Sequence, residues 1–281
     1  MQVRRLPSGV TLEYAFEGPA AAEVLCFVHG ASANMRQFEQ QAVRFRDRYR
    51  VLRLSLRGHG GSRGPEDPAP SDYTRTAIAR DVVELWDALG IDSAHVVGNS
   101  LGGLIGYELL ASVPGRVRSL TTFGTTAALA SPASLVWTMT TLQRLLGSRG
   151  MSRLLERTAS RDRSVARLVA EMCRSADPTA LRFVMEAIAA YDYTPLLRAQ
   201  TLPLLLIRGP LDTEINAQLA STIAALRATP RFTLVELPGT GHFANLERPA
   251  AFDRILGRFL ATAPGARAAR PTAAPRELHT A

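Results

Sequence analysis

Ser100 stands in a sharp turn of the stretch VVGNSLGGLIGYELL (residues 96–110), with Gly98 two positions before it and Gly102 two positions after it. The β-branched residues ahead of the turn predict a buried strand, and the leucines behind it recur at helical spacing. Such a turn presents its central hydroxyl away from the sheet, and the flanking glycines leave room where Cβ atoms would clash. An alcohol held in this way can attack a carbonyl carbon, with the Leu101 amide at the helix N-terminus facing the negative charge that develops.

Attack by a serine requires a base, because its hydroxyl is a weak nucleophile at neutral pH. His242 is the candidate, since it lies in ELPGTGHFANLERP, a glycine-rich loop that follows the last predicted strand and can return an imidazole over the sheet edge. The other histidines have different interpretations. His29 and His59 are predicted to support their loops, His95 lies in a predicted strand, and His279 lies in the C-terminal tail.

An acid that orients this imidazole is expected between the serine and the histidine in the chain. Asp212 fits in LLLIRGPLD, just beyond a predicted strand, and Glu214 is a weaker competitor two residues later. The position after the strand that ends near Phe123 reads GTTAALA and offers no carboxylate, which favours Asp212. A turn formed by the aspartate itself is the alternative, purely structural interpretation of GPLD.

A second amide donor for the carbonyl oxygen is predicted in FVHGASANM. The amide of Ala31, which follows His29 and Gly30, is placed to act beside the amide of Leu101. Loss of one such donor typically lowers the rate by about 10²–10³-fold. The alternative interpretation is an ordinary strand exit that contains a glycine.

The elements that must position these residues alternate between strands and helices. Strands are predicted over 23–28, 49–56, 94–98, 117–124, 202–209 and 232–239, after a hairpin over 3–16. Helices are predicted over 72–90, 101–112, 216–228 and 249–262. This alternation indicates an α/β fold with a mostly parallel sheet covered on both faces, formed by residues 1–126 and 199–262.

Residues 127–198 interrupt the alternation with four predicted helical pieces and no convincing strand, which predicts an all-helical insertion. Two of the pieces begin with a cap residue, Ser131 or Asp177, followed by proline at the first helical position. Residues 263–281 are rich in proline, alanine and arginine without periodicity, which predicts a disordered tail.

Composition argues against several classes of function. The net charge of +8 comes from arginines that are scattered without a basic stripe, so nucleic acid is not an expected partner. No apolar run approaches the roughly 20 residues of a membrane helix, and no secretory signal is recognisable, so no membrane partner is expected. No metal-binding spacing, phosphate loop or dinucleotide motif occurs, and neither metal nor cofactor is expected. Cys26 and Cys173 predict two buried or inert thiols in a cytoplasmic protein.

Five motifs together, FVHGAS, LRGHGGS, VVGNSLGG, RGPLD and GTGHFANLERP, resemble the α/β-hydrolase fold family in order and spacing over residues 3–262. The resemblance implies Ser100 as nucleophile, His242 as base and Asp212 as its orienting acid. It also implies the amides of Ala31 and Leu101 as oxyanion donors and the insertion as a lid. The lid size and the GNSLGG turn are most similar to the lactonase, esterase and carbon–carbon hydrolase branch.

The predicted function is hydrolysis of an ester or lactone of a small apolar molecule through an acyl-enzyme on Ser100. Trp137 and Met139 are candidates for lining the pocket, and Tyr191 and Tyr193 either donate to a substrate oxygen or seal the lid. A carbon–carbon hydrolase, a thioesterase and a tailoring or cyclising enzyme are alternatives on the same residues. A small-ligand receptor without turnover is a further alternative, and the sequence leaves the oligomeric state open.

Overall fold

An eight-stranded sheet forms the centre of the protein. The computed structural model describes residues 1–263, except for the side chains of residues 133–137, 139 and 140. The described residues form ten strands, of which all but β7 and β8 belong to this sheet. They are β1 (Gln2–Arg5), β2 (Thr11–Glu17), β3 (Val24–Val28), β4 (Arg50–Leu54), β5 (Ala94–Asn99), β6 (Val117–Phe123), β7 (Ala128–Ala130), β8 (Ala190–Asp192), β9 (Leu204–Arg208) and β10 (Phe232–Glu236). The order in the large sheet is β1-β2-β4-β3-β5-β6-β9-β10. All pairs from β4 to β10 are parallel, and β2 pairs antiparallel with both of its neighbours.

Helices cover both faces of this sheet. They are α1 (Glu39–Phe45), α2 (Arg75–Ala88), α3 (Leu101–Ser112), α4 (Ala133–Thr158), α5 (Arg163–Arg174), α6 (Pro178–Ala187), α7 (Thr194–Arg198), α8 (Thr213–Asn216), α9 (Leu219–Arg227), α10 (Ala244–Glu247) and α11 (Pro249–Thr262). Alternate residues of β3 enter two separate cores, because successive side chains of a strand point to opposite faces. Cys26 and Val28 pack with α2 and α3, and Phe27 packs with α1 and α11.

The parallel strands explain how distant residues reach one place. Strands β3, β5, β9 and β10 run in the same direction, so the loops that follow them leave the sheet at the same edge. In open α/β sheets this carboxyl edge is where ligands bind. These four loops contain Ala31, Ser100, Asp212 and His242.

The insertion over residues 127–198 was predicted to be all-helical, but the structure shows helices together with two short strands. Strands β7 and β8 pair antiparallel into a short ribbon at the two ends of the insertion. Strands of three residues are too short to show a period of two. Helix α4 joins two of the four predicted helical pieces and is kinked at Gly147, whose φ is 59°.

Of the two cap residues that the sequence predicted in the insertion, one caps its helix in the structure. Helix α6 begins as predicted, with Asp177 accepting from the amide of Ala180 and a proline at the first helical position. Helix α4 begins after Pro132 without a side-chain cap, so the prediction of Ser131 as its cap was wrong. The amide of Ser131 instead donates to the carbonyl of Ala189, which extends the ribbon of β7 and β8.

Two other predictions concern the cysteines and the tail. Both Cys26 and Cys173 are buried and free, as predicted. Residues 264–281 lie outside the described part of the chain, so the disordered tail stays a prediction. Among residues 1–263, no helix has the length and the apolar character needed to cross a bilayer.

A buried ion pair fixes the loop after β4 to helix α2. Arg57 and Asp81 form two hydrogen bonds of 2.5 Å, and their side chains are 2% and 1% exposed. We expect Asp81→Ala to lower the free energy of unfolding by about 3–5 kcal/mol, because it leaves a guanidinium buried without its partner. Denaturation in urea measures the loss.

A matched control lies on the same helix. Asp87 pairs with Arg116 at 2.7 Å, but its side chain is 61% exposed. Asp87→Ala should cost less than about 1 kcal/mol, because water and salt weaken exposed pairs. Equal losses in the two variants would contradict a structural role for the buried pair.

Candidate active site

The turn that carries Ser100 is strained, and its glycines are required. Ser100 has φ 52° and ψ −117°, and no other non-glycine residue of the described chain has a positive φ. A Cβ on Gly98 would lie 2.3 Å from the carbonyl oxygen of Gly102, and a Cβ on Gly102 would lie 2.0 Å from that of Val28. Backbone strain of this kind persists where the surrounding structure enforces it. The close packing of β3, β5 and α3 therefore holds the hydroxyl at the sheet edge.

His242 and Asp212 are joined by a hydrogen bond. Nδ1 of His242 lies 2.8 Å from Oδ2 of Asp212, and their side chains are 29% and 10% exposed. The second oxygen of the carboxylate caps helix α8 by accepting from the amide of Ile215. Because the carboxylate only accepts, the imidazole carries a proton on Nδ1 and leaves Nε2 able to accept one.

Ser100 and His242 line the same cavity. Within residues 1–263, no hydrogen bond joins the Ser100 hydroxyl to the imidazole, and that hydroxyl has no other protein partner. Contacts between a nucleophile and its base are often long in ligand-free structures and tighten when substrate binds. Rotation about the single χ1 bond of serine moves Oγ without any change in the backbone.

Two backbone amides close to Ser100 in the chain or at the cavity have no hydrogen-bond acceptor in the described part of the chain. They belong to Leu101, the first residue of α3, and to Ala31, in the loop after β3. The first amides of a helix have no acceptor within the helix, so the Leu101 amide is free by geometry. Both residues border the nucleophile, since Leu101 follows Ser100 in the chain and Ala31 lines the same cavity.

His29 determines the direction of the Ala31 amide. Its Nδ1 donates to the carbonyl of Gly30 at 2.7 Å, and its Nε2 accepts from the amide of Leu56 at 2.8 Å. Burial lowers the pKa of His29 to about 3, with a smaller contribution from His59, so the ring is neutral. Carbonyl and amide point in opposite directions across a trans peptide. The amide of Ala31 therefore points away from His29.

The cavity has a volume of about 770 Å³ and lies between the sheet edge and the insertion. Its apolar wall comes from Met151, Leu155, Met185 and Ile188 of the insertion. Polar and charged side chains line other parts of it, among them Arg161, Glu214 and Arg248, which are exposed to solvent. One wall is thus suited to an apolar group, and the cavity as a whole is more polar than the sequence predicted.

Comparison with known proteins identifies the family. The model of the Alpha/beta hydrolase family matches residues 27–255, which is most of the chain. The chain belongs to this family. The membership agrees with the order of the strands, with the strained turn at Ser100 and with the position of the cavity at the carboxyl edge of the sheet.

The relatives of this hydrolase include lactonases. It is 26% identical to 3-oxoadipate enol-lactonase 2 of Acinetobacter baylyi, over 88% of this chain and 92% of that one. It is 25% identical to 2-(acetamidomethylene)succinate hydrolase of Mesorhizobium japonicum, over 92% of this chain and 94% of that one. The enol-lactonase structure from Burkholderia xenovorans superposes with a TM-score of 0.82 at 27% identity, covering 92% of the hydrolase and all of that chain.

The predicted pocket residues fall into two groups. Tyr191 and Tyr193 do not line the cavity of the hydrolase, because Tyr191 bonds to Thr126 and Tyr193 to Arg75 and Glu108 at the base of the insertion. Of the two roles considered for them, sealing the lid fits this placement, and donation to substrate does not. The side chains of Trp137 and Met139 lie outside the described residues.

Sequence reasoning missed polar residues behind the site. Gln37, Asn99 and Asn245 are buried, and the side chain of Gln37 hydrogen-bonds to both asparagines. Asn99 and Asn245 lie within motifs that the sequence analysis used, but no neighbouring residue indicated a role for their side-chain amides. Gln37 carried no signal, because its partners are 62 and 208 residues away in the chain.

Proposed function

We propose that the hydrolase cleaves a carboxylic ester or a lactone of a small molecule through an acyl-enzyme on Ser100. The observation that carries the proposal is that Ser100, Ala31 and the hydrogen-bonded pair of His242 and Asp212 line one cavity, with the unbonded amide of Leu101 directly after Ser100 in the chain. This set supplies a nucleophile, a base, a group that orients the base, and donors for an oxyanion.

The proposed reaction has two halves. Ser100 Oγ attacks the carbonyl carbon while His242 Nε2 takes its proton, and the amides of Ala31 and Leu101 bind the oxygen that becomes negative. The protonated His242 then gives its proton to the departing alkoxide, which leaves the acyl group on Ser100. A water molecule, deprotonated by His242, attacks this ester, and Ser100 regains its proton as the acid is released. Asp212 stabilises the imidazolium in both halves.

The lining of the cavity and the names of the relatives narrow the range of candidate substrates. The apolar wall of the insertion, which we propose to act as a lid, fits an aliphatic or unsaturated carbon skeleton. The relatives from Acinetobacter and Burkholderia are named as enol-lactonases, which favours a lactone. Arg161 and Arg248 line the cavity without an ion-pair partner among residues 1–263, so a substrate with a carboxylate fits as well as a neutral one.

A substrate panel tests the proposal. It contains aryl esters of increasing acyl length, neutral lactones, and lactones that carry a carboxylate, with thioesters and vinylogous diketones for the alternative reactions. We expect the highest kcat/KM on lactones or short esters. Turnover confined to thioesters or diketones would replace the proposed reaction with a thioesterase or a carbon–carbon hydrolase. Tight binding without turnover, and without reaction of Ser100 with a fluorophosphonate, would indicate a receptor.

A further inference from the structure

Three buried amide side chains lie behind the residues of the proposed reaction. None of the three takes part in a step of that reaction. Gln37, Asn99 and Asn245 are each 0% exposed, and we call these three residues the amide cluster. Gln37 lies in the short 3₁₀ helix Met35–Phe38, Asn99 ends β5 next to the nucleophile, and Asn245 lies in α10. Each therefore belongs to a different segment near the cavity.

Backbone groups fix the orientation of Asn99 and Gln37. Nδ2 of Asn99 lies 3.1 Å from the carbonyl oxygen of Phe123 and 3.0 Å from that of His242. Carbonyls only accept, so Oδ1 of Asn99 must be the atom that faces Gln37 Nε2 at 2.9 Å. At its other atom, Gln37 Oε1 accepts from the amide of Gly30 at 3.2 Å. No rotation of either amide preserves these bonds.

Asn245 completes the cluster. Its Oδ1 accepts from Gln37 Nε2 at 3.3 Å, and its Nδ2 donates to the main-chain carbonyl of Gln37 at 2.8 Å. The side-chain amide of Gln37 thus uses both of its hydrogens and its oxygen. Through it, one residue connects the loop of the Ala31 amide, the turn of the nucleophile and the loop of the histidine.

We propose that Gln37 is a positioning residue of the reaction, whose carboxamide sets the placement of the Ala31 amide, Ser100 and His242 relative to one another. The inference rests on the proposed function for the roles of those three groups. Both backbone groups of Gly30 are hydrogen-bonded, because its amide donates to Gln37 and its carbonyl accepts from His29. These two bonds fix the orientation of the Ala31 amide, which follows Gly30 in the chain. His242 is held from the same point, because Asn99 binds its carbonyl.

Gln41 provides a matched control. It is also 0% exposed; its Nε2 donates to the carbonyl of Asn245 at 3.2 Å and to Asp253 at 3.1 Å, and its Oε1 accepts from Nδ2 of Asn245 at 3.0 Å. It bonds to neither Gly30 nor Asn99. Substitution of Gln41 therefore removes buried hydrogen bonds of the same kind, including two to Asn245, but it removes none of the bonds that the Gln37 side chain makes to Gly30, Asn99 and Asn245.

The test compares Gln37→Met with Gln41→Met, since methionine keeps the length of glutamine and makes none of its hydrogen bonds. We expect Gln37→Met to lower kcat by about 10- to 100-fold with little change in KM, because small misplacements of reacting groups have effects of this size. The rate of Ser100 labelling by a fluorophosphonate should fall in parallel. Gln41→Met should retain kcat, although the thermal midpoints of both variants should fall by similar amounts.

Amide hydrogen exchange gives a readout that needs no substrate. Peptides that cover residues 28–35 should exchange faster in Gln37→Met than in Gln41→Met or the unsubstituted chain. Peptides that cover residues 239–246 should exchange faster in both variants, because Gln41 also bonds to Asn245. If the unsubstituted chain neither hydrolyses any substrate nor reacts with the probe, the proposed function fails, and exchange alone decides whether Gln37 fixes these segments.

Two results would overturn the inference. The first is a Gln37→Met variant with wild-type kcat and labelling rate, and the second is an equal loss of kcat in the Gln41→Met control. If Gln37→Met does not fold, Gln37→Glu replaces it in the same comparison. This variant keeps an acceptor for the Gly30 amide but carries at most one hydrogen, on a protonated carboxyl, where Gln37 donates two, so it loses at least one of the bonds to Asn99 and Asn245 and kcat should fall.

Discussion

Replacement of Ser100 by alanine should lower kcat on the best ester or lactone by about a million-fold, the size of loss seen when a serine nucleophile is removed. The reason is that the proposed acyl-enzyme forms on the Ser100 hydroxyl, which alanine lacks. The oxyanion donors and the binding surface remain, so a small residual rate over water is expected. Initial rates and labelling by a fluorophosphonate measure the loss of turnover and of the reactive hydroxyl.

The fold should survive this substitution. Alanine also carries a Cβ, so the strained turn is unchanged, and the hydroxyl that is lost makes no hydrogen bond to the residues that the structure describes. Ser112→Ala, at the other end of helix α3, is the control and should keep full activity. Substantial labelling or turnover in the Ser100→Ala variant would show that another residue is the nucleophile.

Replacement of Asp212 by asparagine should lower kcat by about 10⁴-fold. The shape of the side chain is kept, but an amide no longer requires the imidazole of His242 to hold its proton on Nδ1. A ring with its proton on Nε2 cannot accept the proton of Ser100, and the imidazolium that forms during attack loses its negative neighbour. Steady-state kinetics on the same substrate measure the effect.

Glu214→Gln is the control for this variant. Glu214 lies two residues after Asp212, is exposed and lines the same cavity, but the carboxylate that bonds to His242 is that of Asp212. We expect this variant to keep most of the activity. A large loss in Glu214→Gln together with a small loss in Asp212→Asn would reverse the assignment of the orienting acid.

Much of the scaffold could be predicted because its signals are local. The strand, turn and helix around Ser100 are encoded by β-branched residues, glycines and helical spacing within fifteen positions. Gly98 and Gly102 were predicted to leave space, and a Cβ at either position would overlap backbone atoms. The short ribbon of β7 and β8 was missed because three residues show no periodicity.

The candidate site was predictable only where its residues follow from local signals in the sequence. The sequence indicated Ser100, Asp212 and His242 by their positions after predicted strands, and parallel strands bring such positions to one edge. It could not distinguish the two roles of Tyr191 and Tyr193, because their partners Thr126 and Glu108 lie in other elements. The polar side of the cavity was missed for a similar reason, since loops from several elements form it.

The sequence by itself determined the order of the elements, the loops that carry chemistry and the residue types within them, since each depends on near neighbours in the chain. Only the tertiary structure decided the proton position on His29, the walls of the cavity and the bonds of Gln37. Gln37 reaches partners 62 and 208 residues away. Such contacts form when packed strands and helices close over buried amides, and the need of each buried donor and acceptor for a partner then selects their arrangement.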